Sequence, residues 1–503
     1  MNGRFQEYSE YDALGLSELV SKNAVSPKEL LNEARYRLNE CNYRINAVVT
    51  LMDELAETSI NNLNRDAPFA GVPFLVKDLM LPFAGYPLSN GSRSMISYIP
   101  PKDSLMAERI KAAGLIVFGK TNTSELGASS LVNPVAFGET RNPWDLTRNS
   151  GGSSGGSSAA VAARIVPMAY SSDGGGSIRL PASYCGIFGF KPSRGINRYE
   201  DFSNSWGDAV VSHVSSLSVR DSAAYLDWVT GRLSDSQGIR NPDPDSYLSA
   251  SMQRPERLKI GLITESPIGT PVHEDCIAAA KYAASSCESL GHTIEKTSWN
   301  LDGISLMRAF LTVVFRFTKK DVEEMARMLD ISPTELDIEL NTRFMAEIGG
   351  GIDDQQLSQA LQEWELARQR IAELHQRYDV ILTPTVATPP LKANALDPSR
   401  LEKVIMRFVM KTGLSKKLYS PSFLDNVIHK SLYQTPFTPL ANMTGQPAMS
   451  VPLYWDKNGL PHGAHFMAGS GNDSMLIKLA AQLESAFPWK KRVPALRGDI
   501  GNI

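Results

Sequence analysis

Three glycines and a serine, Gly174-Gly175-Gly176-Ser177, stand inside the run DGGGSIR at 173–179. Glycine alone tolerates positive φ without steric cost, so such a run can turn the backbone until several N–H groups point at one spot. That spot suits an oxyanion. Acyl transfer needs a nucleophile together with fixed donors for the developing negative charge, and Ser177, at the end of the run, would present its hydroxyl to the same carbonyl. A serine hydroxyl is a weak nucleophile until a base takes its proton. None of the seven histidines lies near these glycines in sequence, which makes a lysine worth weighing. Burial disfavours the ammonium form and lowers the pKa, as serine–lysine pairs on other folds require. Lys77 follows the apolar run Val72-Pro73-Phe74-Leu75-Val76, where a strand would deliver it into the interior; the plainer reading is a solvated lysine at a strand end. A second run, GGSSGGSS at 151–158, supplies Ser153 and Ser154. Gly/Ser runs are often flexible linkers. Here one run leads into a helix-like segment and the other lies between an apolar strand and the ordered-looking Leu180–Tyr184, so neither reads as a free linker.

The elements that must position these residues are legible in outline. Ser26-Pro27-Lys28-Glu29 combines an N-cap serine, a first-turn proline and a glutamate at N3, which predicts a helix to about Asn42. Residues 47–51 read as a buried strand, 71–76 as another with Lys77-Asp78 at its end, and 104–114 as a helix followed by a strand over 115–118. SAAVAARIVPMA at 158–169 is helix-like, with an apolar strand from Val166 to Tyr170. Residues 258–297 read as a β-α-β unit, 303–375 as mostly helical, and 380–384 as a core strand. Strands alternating with helices predict an α/β fold with a mixed, partly parallel sheet covered on both faces. No repeat or linker divides the chain, so 1–503 reads as one domain. Within it, 66–235 is the chemical core and 236–435 holds variable segments that shape a substrate site.

In order along the chain stand Gly71-Val72-Pro73 with Lys77-Asp78, Gly119-Lys120-Thr121-Asn122 with Ser124-Glu125, Arg141-Asn142-Pro143-Trp144, Gly151 to Gly156, and Asp173 to Pro181. In this complete order the chain resembles the amidase signature family, closely over about 66–195, with a weaker echo at 439–447 and 459–463. The resemblance implies a serine, cis-serine, lysine triad: Ser177 as acylated nucleophile, Ser153 as bridging serine and Lys77 as general base. It also implies an oxyanion hole from the amides of Gly174, Gly175, Gly176 and Ser177. Asp173 and Arg179 would brace that loop, and Ser154 would be a supporting donor. The glycine at 174 departs from the threonine or isoleucine of many relatives and is similar to the version in bacterial cyclic amide-oligomer hydrolases. A small-molecule amide is the implied substrate, without cofactor or metal. The related amidotransferase A subunit, which releases ammonia from glutamine within a complex, and a non-catalytic binding protein on this fold are the alternatives.

Gly151-Gly152-Ser153-Ser154-Gly155 also fits G-x-S-x-G, but a nucleophile elbow follows a strand, whereas 142–150 is polar and carries Pro143. No Gly-Lys-Ser/Thr follows the glycines, which removes a phosphate loop. His462 and His465 read as structural or solvated residues of a Gly/Pro loop with no nearby carboxylate or cysteine. Leu401, Val404, Ile405, Phe408 and Val409 share a helical face beside Lys403, Arg407, Lys411, Lys416 and Lys417. The reading preferred is a wall helix packing that stripe on its own domain rather than a helix lying on a membrane. With 42% hydrophobic and 21% charged residues the composition is that of an ordinary globular protein, and a net charge of −3 argues against a nucleic-acid partner. The polar, acidic start lacks a secretory pattern, and the four cysteines are widely spaced, so a cytoplasmic protein with reduced thiols is expected, its assembly into a homodimer left open.

Overall fold

The strand that ends in Lys77 explains the rest of the architecture, because all five of its residues are buried and both of its faces must therefore be covered. A computed structural model describes residues 4–197, 205–233 and 244–496. Helix α1 (Pro27–Ile45) starts on the Ser26–Glu29 capping box and runs three residues past Asn42, ending at Asn46 in the left-handed conformation. Strands β1 (Val48–Leu51) and β2 (Pro73–Lys77) follow, then helix α2 (Leu105–Ala112) and strand β3 (Ile116–Thr121). A small hairpin, β4 (Arg141–Asn142) and β5 (Asp145–Asn149), precedes helix α3 (Gly155–Ala162) and strand β6 (Met168–Asp173). The helix-like reading of 158–169 thus covers two elements. Arg164 takes a left-handed φ of 61° and Pro167 cannot continue a helix, so the chain leaves α3 at Ala162 and re-enters as strand.

Helix α4 (Arg179–Cys185) and strands β7 (Phe188–Lys191) and β8 (Val211–Ser216) complete the half that carries the Gly/Ser runs. The predicted β-α-β unit is present as β9 (Lys259–Leu262), α5 (Glu274–Ser289) and β10 (Thr293–Lys296), its two strands parallel. Long helices fill the following stretch: α6 (Gly303–Leu329), α7 (Leu340–Gly349) and α8 (Asp354–His375). Strand β11 (Val380–Pro384), helix α9 (Arg400–Lys411), helix α10 (Pro439–Thr444) and the hairpin β12 (Ala448–Trp455) and β13 (Pro461–Ala468) follow.

Eleven strands form one mixed sheet in the order β1-β3-β2-β6-β8-β7-β12-β13-β11-β9-β10. β2 lies parallel to both β3 and β6, β6 to β8 is antiparallel, and β11 lies parallel to β9. Being the edge, β1 buries Val48 but leaves Leu51 at 55% exposure, which corrects the expectation of a buried strand. Two large apolar clusters flank the sheet. The larger packs α1 and α3 around β2, β3 and β6; the other joins α6 and α8 to Ile381 and Met467.

Candidate active site

Parallel pairing of β2 with β6, Val76 opposite Tyr170, brings the ends of both strands to one place, where side chains from successive loops can converge. Lys77, the last residue of β2, has no solvent exposure. Its Nζ donates to Ser153 Oγ at 2.7 Å and to Ser172 Oγ at 3.0 Å. Burial pushes the Lys77 amine down to about 7, although the Asp173 carboxylate pulls it the other way. Near neutral pH the amine is therefore partly uncharged. The Gly152–Ser153 peptide is cis. Ser154 Oγ donates to the Ser172 carbonyl at 3.0 Å, and Ser154 N–H to the Ser177 carbonyl at 3.2 Å, so the two Gly/Ser loops are tied together through backbone. Ser177 shares a cavity wall with Ser153, and its hydroxyl makes no hydrogen bond among the described residues.

The loop before Ser177 is held by a buried ion pair. Arg179 grips Asp173 with two parallel hydrogen bonds, Nε to Oδ2 at 3.0 Å and Nη2 to Oδ1 at 2.9 Å. Burial alone would raise the Asp173 carboxyl, but the Arg179 charge and a ring of hydrogen bonds hold it well below the usual carboxylate range. Asp173 Oδ1 also accepts from Gly176 N–H at 2.7 Å and from Asn442 Nδ2 at 2.9 Å, while Oδ2 accepts from Ile178 N–H at 3.1 Å. The Gly176 amide, expected as an oxyanion donor, is therefore committed to Asp173. The amides of Gly174, Gly175 and Ser177 make no hydrogen bond among the described residues. Of the three glycines only Gly176, at φ 126°, uses a left-handed conformation; at Gly175 a Cβ would lie 2.9 Å from Phe310 Cζ, so a side chain there would have to displace that ring.

Sequence reasoning missed several members of this site. Ser172 is the shared partner of Lys77 and Ser154, yet it lies at the end of an apolar strand with no motif of its own. Asn442 sits in the weaker echo at 439–447, and Thr438 Oγ1, just before α10, donates to the Gly175 carbonyl at 2.8 Å. His465 is not in a loop: it is buried on β13, and Arg179 Nη1 donates to its Nε2 at 2.9 Å. Burial first, then the Arg179 charge, pushes the imidazole well below its ordinary range, so a neutral ring braces the arginine. His462, three residues along the strand and so on its other face, also departs from expectation. Its Nε2 lies 3.3 Å from Asp456 Oδ2 and its Nδ1 3.9 Å from Cys276 Sγ. Ligand atoms of Asp275, Asp456 and His462 come within 4.8 Å of one another, the one group of three or more among the described residues with the donors for a cation.

A buried lysine bonded to two serine hydroxyls and a braced glycine loop thus meet at the ends of neighbouring strands of a mixed sheet. The comparisons with known proteins give the class its name: the sequence profile of the amidase family matches residues 29–477, and the chain belongs to that family of amide hydrolases. It is 31% identical over 493 residues to the 6-aminohexanoate-cyclic-dimer hydrolase of Paenarthrobacter ureafaciens, covering 96% of each chain. A solved 6-aminohexanoate cyclic dimer hydrolase complexed with substrate superposes with a TM-score of 0.86 at 30% identity, covering 97% of this chain and 99% of that one. A lipoamidase of Enterococcus faecalis is 33% identical over 483 residues, spanning 95% of this chain and 64% of the relative.

Proposed function

We propose that this amidase hydrolyses its substrate through an acyl-enzyme on Ser177, with Ser153 as bridging serine and Lys77 as general base. The observation that carries the reading is the buried Lys77 Nζ at 2.7 Å from Ser153 Oγ, with the amine brought down to about 7. In acylation the Ser177 proton passes to Ser153 while the Ser153 proton passes to neutral Lys77. The Ser177 oxygen bonds to the amide carbon, and the carbonyl electrons move onto oxygen. The amides of Gly174, Gly175 and Ser177 are the donors still available for that charge; each such donor is typically worth about 3 kcal/mol. As the carbonyl reforms and the C–N bond breaks, Lys77 returns the proton through Ser153 to the leaving nitrogen, because an amine departs poorly without it. Water then repeats the sequence, releasing the acid and free Ser177.

The core at 66–235 performs this chemistry and, among the described residues, lines the cavity at Ser177, while 236–435 backs the glycine run, where Phe310 packs against Gly175. Among the described residues the cavity wall carries Leu79, Met80, Leu126, Trp206 and Val210 and no charged side chain. Such a wall suits an uncharged acyl chain, linear or cyclic. Glutamine would bring an ammonium and a carboxylate without partners, at a desolvation cost, which weighs against the amidotransferase alternative. The similarity to the cyclic-dimer hydrolase supports the same substrate class. Treatment with a fluorophosphonate, followed by peptide mass analysis, tests the assignment: one adduct is expected, on the peptide holding Ser177. An adduct on Ser153 would replace this mechanism with one in which Ser153 attacks.

A further inference from the structure

Helix α9 faces the wrong way for a helix of a globular domain. Met406 is its buried residue, and the helix rests on α7, yet Leu401, Val404, Ile405 and Phe408 are 69%, 59%, 50% and 63% exposed. The stripe predicted to pack on the domain therefore points to solvent. At about 100° per residue the four apolar side chains fall within an arc of about 100°, centred about 150° from Met406. Arg400, Lys403, Arg407 and Lys411 occupy an arc of about 80° along one flank of that stripe. None of these four bases pairs with a carboxylate among the described residues, and the helix's acidic residue, Glu402, is already matched by Lys430. Leu414, 44% exposed, extends the apolar face beyond the helix end.

We propose that α9 is a peripheral docking helix for an anionic lipid surface. An apolar stripe opposite the protein body, flanked by unpaired bases, is the arrangement that lies in the plane of a membrane, side chains in the acyl boundary and cations among the headgroups. Charge weighs against the other occupant of such a face, a second copy of the chain: antiparallel packing of α9 on α9 would bring two sets of unpaired bases together, and the helix's one carboxylate, Glu402, is already matched by Lys430. No helix among the described residues is long and apolar enough to cross a membrane, so the contact would be at the surface. The inference is independent of the chemistry assigned to Ser177.

Co-sedimentation of the full chain with vesicles of phosphatidylcholine, with and without phosphatidylserine, tests the proposal. Binding to the anionic vesicles should exceed binding to neutral ones at least tenfold and weaken in about 0.5 M salt, where surface charges are screened. Leu401→Ser with Phe408→Ser, and separately Arg407→Glu with Lys411→Glu, should each weaken it at least tenfold while thermal melting stays unchanged, because all four side chains are exposed. Equal or absent binding to the two vesicle types, or undiminished binding by both variants, overturns the proposal. So does a dimer in sedimentation equilibrium that the double serine variant dissociates, which would assign the face to a second copy.

Discussion

Lys77 sets the terms at the residue scale, because the burial that lowers its pKa also costs stability. Its amine titrates at about 7 in the folded chain against an ordinary value of 10.5. Between those values the unfolded chain binds more protons than the folded one, so this group's contribution to stability rises with pH across that window. Below about 7 the full penalty of burying the amine remains, and at about 1.4 kcal/mol per pKa unit it is on the order of several kcal/mol. Lys77→Met keeps most of the volume and removes the charge. Its melting temperature at pH 7 should therefore be at least that of the parent while hydrolysis is lost, and calorimetry beside an activity assay checks both. A large fall in melting temperature would mean that the hydrogen bonds to Ser153 and Ser172 outweigh the desolvation.

At the scale of elements, the loop between β6 and α4 is the part that must not move. Gly176 combines a left-handed φ of 126° with a site where a Cβ would lie 2.2 Å from Thr438 Oγ1. Thr438 cannot swing away without releasing the Gly175 carbonyl. Gly176→Ala should thus displace the neighbouring Ser177, lowering kcat on the order of 10²-fold, with a lower melting temperature; steady-state kinetics and thermal melting read the two effects. The glycine run and the strand ending in Lys77 were legible in the sequence because both are local: apolar residues lead to a lone lysine, and three glycines precede a serine. The bracing role of Asp173 and Arg179 came from the family resemblance rather than from the local pattern. What it required from elsewhere was not legible. Asn442 and His465 reach Arg179 from more than 260 residues away, and no local pattern marks a neutral imidazole as the partner of a guanidinium. The outward turn of α9 was misread because periodicity gives a stripe's position on a helix and not the side of the molecule it faces.

For the whole molecule, the eleven-stranded sheet joins two parts of the chain that sequence order separates. Its β2–β6 side carries Lys77 and Ser172, and its β12–β13 hairpin carries His465 to the far side of Arg179. The order β6-β8-β7-β12-β13 makes this possible, since it sets the C-terminal hairpin beside strands from the half that carries the Gly/Ser runs. Burial also brings Lys191 on β7 to about 7 and lowers Lys120 on β3, so a single pH limb does not by itself name its owner. The pH dependence of kcat/KM for the parent, Lys77→Arg and Lys77→Ala resolves this. With Lys77 as base, kcat/KM rises through about 7 and levels off above it. Lys77→Arg, which keeps the charge but cannot give up its proton, falls roughly 10²- to 10⁴-fold, and the limb disappears from the residual rate of Lys77→Ala. Near-full activity of Lys77→Arg with an unchanged pH profile would contradict the account.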